Sequence, residues 1–160
     1  MHFPILTAIL LVPLAGAGLV LLLRREYETE ARATSLLATV VAFGLSVQMW
    51  AGFPTGDPGM QFKETREWIP SMGVQYALGV DGVAMPLVAL TCLLGPLVVL
   101  VSWKSVKTRV KEFHVAVLVL QSAMVGVFVA RDLFLFYVFW EAMLIPMYLL
   151  IGVWGGDRRV

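Results

Sequence analysis

Leu133-Phe-Leu-Phe-Tyr-Val-Phe-Trp-Glu-Ala-Met-Leu-Ile-Pro-Met-Tyr-Leu-Leu-Ile-Gly-Val-Trp154 decides the fold of this chain. Crossing a bilayer as a helix takes about 20 mostly apolar residues at 1.5 Å each. The run has that length and carries a single charged side chain, Glu141. Glu141 lies roughly 12 Å from the start of the run. An ionised carboxylate at such a depth costs about 2.5–3.5 kcal/mol on insertion scales. Protonation, a nearby cation or water lowers that cost, and each makes proton affinity depend on surroundings. Glu141 is therefore the candidate proton-transfer residue. The reading requires its carboxylate to sit in a low-dielectric setting among neighbouring helices rather than facing lipid.

Outward from this run the pattern repeats. Apolar runs at about 3–23, 33–51, 83–103, 113–130 and 133–154 each suit a membrane span. Arg24 and Arg25 follow the first run instead of preceding it, so it reads as a retained helix, not a cleaved signal. Of 160 residues 59% are apolar and 14% charged. Soluble chains carry about 25% charged residues, so the composition is that of an integral membrane protein. The expected fold is all-α: a single polytopic domain over 1–160, with about five transmembrane helices and a short exterior β-hairpin in segment 52–82. Cys92 is the one cysteine, and His2 and His114 share no ligand spacing. No metal site, cofactor site or redox-catalytic site is expected in this chain, and no nucleic-acid contact.

Charge asymmetry sets the expected orientation. Segments on one side hold Arg24, Arg25, Arg32, Lys104, Lys107, Arg109, Lys111, Arg158 and Arg159, whereas those on the other hold Lys63, Arg66 and Arg131. The positive-inside rule places the first set in the cytoplasm and the amino terminus outside. In the exterior segment, Pro54-Thr-Gly-Asp-Pro-Gly59 is a turn cluster. Val74, Tyr76, Leu78 and Val80 then alternate with Gln75, Ala77, Gly79 and Asp81, and Met60 and Phe62 begin a weaker alternation, which together predict the hairpin. Asp81 is placed to cap the third helix, a reading favoured over proton uptake.

Several residues within and between the spans have two readings. Pro146 removes a helix donor, so the fifth helix either bends or hydrates beside Glu141, or is repaired by its neighbours. Gly95-Pro96 reads as packing. His114 and Gln121 share a face of the fourth helix and are proton-path candidates. For Gln121 the alternative is an interhelical hydrogen bond, and for His114 an interfacial position near the cytoplasmic end. Arg131 and Asp132 are accounted for by a local ion pair. Phe134, Phe136, Tyr137, Phe139 and Trp140 dry the surroundings of Glu141 or pack the helix.

Two stretches carry a family pattern. Leu78-Gly-Val-Asp-Gly-Val-Ala-Met-Pro-Leu-Val88 resembles the entry to the third helix of the M-type antiporter-like subunits of respiratory complex I (NADH:quinone oxidoreductase chain M). Gly126-Val-Phe-Val-Ala-Arg-Asp-Leu-Phe-Leu-Phe-Tyr-Val-Phe-Trp-Glu-Ala-Met-Leu-Ile-Pro-Met-Tyr-Leu-Leu-Ile-Gly152 resembles the same family's fourth-to-fifth helix hairpin. Met143-Leu-Ile-Pro-Met-Tyr148 is similar to chain M rather than chain L, and Arg131 departs from the apolar residue expected there. The resemblance implies proton translocation coupled at a distance to quinone reduction, in an inner membrane, beside other membrane subunits of complex I. It implies that Glu141 matches the acid of the fifth helix, which the family pairs with a lysine on the seventh. That lysine and the later helices lie beyond Val160, so the sequence reads as the amino-terminal part of a longer chain. Two alternatives are a subunit of a multisubunit Na⁺/H⁺ antiporter and a purely structural membrane anchor.

Overall fold

A computed structural model describes residues 4–54, 56 and 59–155. Five helices carry the chain: α1 (Ile5–Leu22), α2 (Glu28–Ala51), α3 (Ala84–Ser105), α4 (Val110–Val129) and α5 (Leu133–Trp154). All five are long and apolar enough to cross a membrane. Strands β1 (Gln61–Ile69) and β2 (Val74–Val80) form an antiparallel hairpin between α2 and α3. The fold is thus a multi-pass helical bundle with a small sheet at one end, as the hydropathy pattern predicts. Parts of the turn cluster at 54–59, and the basic residues Arg158 and Arg159, lie outside the described residues.

The helix boundaries shift where hydropathy is a poor guide. α2 starts at Glu28, five residues before its apolar run. Glu28 and Glu30 occupy its first turn, where the helix dipole favours acids, and Glu28 pairs with Arg32 at 3.4 Å one turn on. α4 likewise begins at Val110, ahead of its expected start.

α4 is the central element, packed against α1, α2, α3 and α5. An apolar core at the hairpin end joins Ile5, Leu6, Ile9, Met49, Leu78, Val80, Met85, Val88, Val125 and Val129. Small residues dominate toward the opposite, basic end, where Ala17, Ala31 and Ala38 pack around Val20 and Leu118. A Cβ on Gly16 would come within 2.5 Å of the Ala38 Cβ, so α1 and α2 approach at backbone distance. Without a hydrophobic drive between helices in lipid, such close packing is what holds spans together.

The hairpin turns at Gly73, whose φ of 67° suits glycine. Its alternation is lost from Ala77 on, where β2 is buried on both faces. The reason is tertiary: the α4–α5 turn lies across it. Arg131 N donates to Ala77 O at 2.8 Å, and Leu78 bridges Ala130. The Arg131 stem fills the space above Gly79, where a Cβ would sit 2.6 Å from Arg131 Cδ.

The expected Arg131–Asp132 ion pair is not among the salt bridges of the described residues, because Asp132 is engaged elsewhere. It caps α5, accepting from Phe134 N at 2.9 Å and Leu135 N at 3.1 Å, while its other oxygen accepts from Gln75 N at 3.3 Å. Asp81 accepts from Val83 N and Ala84 N at the start of α3, the cap that the sequence predicts.

Candidate functional site

Glu141 is exposed on α5. The five described helices therefore do not themselves supply the enclosure that the sequence reading requires. The cause is the position of α5, which packs chiefly on α4, with its start against the hairpin. Its buried residues are Leu135 and Pro146 alone. Glu141 lies about 120° and 140° round the helix from these, at 100° per residue. Its outward face is apolar and aromatic, with Tyr137, Trp140, Ile145 and Tyr148 exposed. The Glu141 carboxylate interacts with the Tyr137 hydroxyl one turn earlier. α5 runs unbroken through Pro146, whose ring is turned inward, away from the acid.

His114 lies near the basic end of α4, as expected, but is buried among the helices. Its exposure is 0%, because α4 begins early and its first turns are already surrounded by other helices. Neither ring nitrogen has a hydrogen-bond partner among the described residues. Arg32 of α2 is its charged neighbour. The Arg32 Nη2 reaches Val106 O at 3.2 Å, while its buried Nε is unpartnered.

Gln121 is 4% exposed and faces α3. A Cβ on Gly95 would come 2.3 Å from Gln121 Oε1, so Gly95 is the residue that admits the amide. The interhelical contact expected of Gln121 is to the Cys92 thiol of α3, a weak partner, and no stronger one reaches its amide atoms among the described residues. Its neighbour makes a stronger one: Ser122 Oγ donates to Leu10 O at 2.7 Å. The Cys92 thiol lies beside Ser46 and Gln121. The structure therefore brings His114 and Gln121 to the interior on one side of α4 and leaves Glu141 outside it on α5.

Sequence reading missed three features. Arg32 was counted only as a loop charge, and Cys92 and Ser46 only as apolar-run residues. The spacing of Ser35, Thr39 and Ser46 along one stripe of α2, all 0% exposed, was the available signal. Glu64 was missed altogether. From β1 it accepts from Leu6 N at 2.8 Å and Thr7 N at 3.1 Å, and from the Thr7 hydroxyl. It thereby caps α1, whose own N-cap, Pro4, offers no side-chain acceptor. A register break between Gln61 and Glu64, with Phe62 at φ 51°, re-aims the strand there. The Tyr76 hydroxyl joins the cluster 3.0 Å from Thr7, and burial pushes its pKa up.

Comparison with known proteins agrees along the chain. Residues 60–127 match the family model for NADH-ubiquinone oxidoreductase chain 4, amino terminus, and residues 130–160 match that for the NADH:quinone oxidoreductase/Mrp antiporter membrane region. The chain is 48% identical over 160 residues to NADH-quinone oxidoreductase subunit M of Rhodobacter capsulatus, covering 98% of this chain and 31% of that one. It is 35% identical to F(420)H(2) dehydrogenase subunit M of Methanosarcina mazei, covering 98% and 31%. A chain of respiratory complex I from Thermus thermophilus superposes with a TM-score of 0.71 at 31% identity, over 97% of this chain and 30% of that chain. A chain of an archaeal membrane-bound sulfane sulfur reductase shares the fold, at a TM-score of 0.74 and 20% identity, over 89% and 22%. The chain spans about a third of the length of the curated relatives it matches.

Proposed function

Because the chain belongs to the NADH-quinone oxidoreductase subunit M (chain 4) family, we propose that it forms part of a proton-translocating membrane subunit, with Glu141 as the acid that carries the proton. One observation carries the assignment of Glu141. A carboxylate stands mid-span on a helix face that the five helices leave uncovered. Facing hydrocarbon, it would cost about 2.5–3.5 kcal/mol if ionised. The cost is met when the outward face of α5 packs against further polypeptide bearing a cation. A cation beside the carboxylate lowers its proton affinity, and withdrawing the cation raises it. Moving that partner thus captures or releases one proton, which is the chemical step of translocation. The resemblance supplies the cation as a lysine on a later helix.

In this reading the protein sits with other membrane subunits of an NADH:quinone oxidoreductase, and no cofactor binds to this chain. The amino terminus and the hairpin face outward, and the basic end faces the cytoplasm or its organellar equivalent, across an inner membrane.

The test is Glu141→Gln in the intact complex, which keeps the side chain's shape and removes its titration. The expected result is severe loss of proton pumping with assembly retained. Full pumping in that variant rejects the assignment. The family description also includes Mrp antiporters, which favours one second reading, a cation/proton antiporter subunit. It requires sodium-driven proton movement without quinone reduction, measured in the same vesicles.

A further inference from the structure

We propose that the cavity beside β1, between the start of α1 and the end of α2, holds the headgroup of an anionic phospholipid from the leaflet at the hairpin end. The cavity measures about 960 Å³, at the upper end of the roughly 300–1,000 Å³ typical of ligand sites. Ile5 and Thr7 of α1, Gln48 of α2 and Phe62, Lys63 and Arg66 of β1 line it. Its position limits what can enter. α1 starts at Ile5 and α2 ends at Ala51, so the cavity opens where two spans leave the hydrocarbon. Trp50, exposed in the last turn of α2, marks that depth, because tryptophan collects at the headgroup level.

Charge selects among the molecules found at that depth. Lys63 and Arg66 make no ion pair among the described residues. Glu64 is the one acid among the described lining residues, and its oxygens already accept from Leu6 N, Thr7 N and the Thr7 hydroxyl. The start of α1 is thereby capped, so side-chain cations, not the helix end, attract the anion. The rest of the lining suits a lipid better than a small ion. Gln48 and Gln61 offer amides, whereas Ile5 and Phe62 offer an apolar wall. An inorganic anion leaves that wall wet and most of the space empty. A phosphodiester with its glycerol and first chain carbons meets both kinds of surface.

The wall is shaped at a local cost. Phe62 has a φ of 51°, which is strained for a residue with a side chain. Its ring lies 6.4 Å from that of Phe53 and beside Gly52 at the end of α2. The register break between Gln61 and Glu64 lets Lys63 and Glu64, neighbours that a regular strand sends to opposite faces, line the same cavity. The site uses α1, α2 and β1 and makes no use of α5, so it stands even if Glu141 carries no proton.

The test places a photoreactive side chain in the cavity, as Gln48→p-benzoylphenylalanine in the intact complex. The complex is reconstituted in vesicles of phosphatidylcholine and phosphatidylglycerol in equal parts, irradiated, and its adducts are weighed by mass spectrometry. Each Lys or Arg beside an anionic headgroup is worth about fivefold in affinity. Adducts with phosphatidylglycerol should therefore exceed those with phosphatidylcholine by about fivefold or more. Adding Lys63→Gln and Arg66→Gln should bring the ratio near one, whereas Lys63→Arg with Arg66→Lys should keep it. A ratio near one in the complex that retains Lys63 and Arg66 overturns the proposal, as does an unchanged ratio in the double glutamine variant. An adduct with a neighbouring polypeptide overturns it in favour of a protein interface. Loss of the lipid adduct on adding excess inorganic phosphate overturns it in favour of a site for free anions. Should the glutamine variant fail to assemble, the ratio with both cations present decides.

Discussion

At the residue scale, single carboxylates placed at helix ends do more structural work than the ion pairs that the sequence suggests. Asp132 shows this most clearly. Backbone donation from Leu135, with further donation from Gln75 and Phe134, holds its carboxyl below the usual range despite some desolvation in the opposite direction. A depressed carboxyl pKa favours the folded state above the unfolded pKa of about 3.9, and that contribution disappears as pH falls through the lower folded value. Acidifying from pH 6 to below the ordinary carboxylate range should therefore loosen the α5 start and its tether to β2. Amide exchange at Phe134, Leu135 and Gln75 measures this. Those amides should lose protection at low pH in the wild type, whereas in Asp132→Asn they should exchange faster already at neutral pH and change less on acidification. An Asn variant with wild-type protection and wild-type acid sensitivity would contradict the cap. Asp132 was visible in the sequence as a charge beside Arg131. Its role was not, because the partners are backbone amides brought near by the hairpin fold.

At the element scale, hydropathy located the helices because it is a local property. It failed at the charged start of α2, where Glu28, Glu30 and Arg32 extend the helix through capping and pairing rather than apolarity. It also could not find how α1 begins. Sequence rules seek a Ser, Thr, Asp or Asn just before the helix. The chain has Pro4 there, and the acceptor comes instead from Glu64, far along the sequence. This long-range cap ties the start of the first span to the hairpin. Glu64→Ala should leave the Leu6 and Thr7 amides without an acceptor, at a cost of about 1 kcal/mol. Exchange protection at residues 5–8 should drop about fivefold, since 1.4 kcal/mol corresponds to tenfold. Glu64→Gln keeps an acceptor oxygen and should lose less. If both variants protect those amides as well as the wild type, the hairpin does not cap α1. The opposite ends are joined in the same manner, with Lys111 Nζ donating to Leu21 O at 2.8 Å and Leu23 O at 2.6 Å, and Trp154 Nε1 to Thr108 O at 2.9 Å.

At the scale of the whole molecule, the bundle is asymmetric in two respects, and the sequence exposes only one of them. The enclosure of α4 and the outward position of α5 depend on which helices touch, and a run of apolar residues does not encode its neighbours. That is why Glu141 was legible as the notable acid but not as a residue on an open face, and why the burial of His114 was not legible. The charge asymmetry, by contrast, is written in the loops. The last turn of α3 carries Lys104, the α3–α4 loop Lys107 and Arg109, and the α1–α2 turn Arg24 and Arg25, while the described hairpin carries Lys63 and Arg66. Cytoplasmic excess of Lys and Arg sets topology in short loops. Lys63 and Lys107 are both exposed, at opposite ends of the bundle, so each position can report its side. In a Cys92→Ala background, a membrane-impermeant maleimide added to intact cells should label Lys63→Cys and leave Lys107→Cys unlabelled until the membrane is permeabilised. Labelling in the reverse order would invert the bundle.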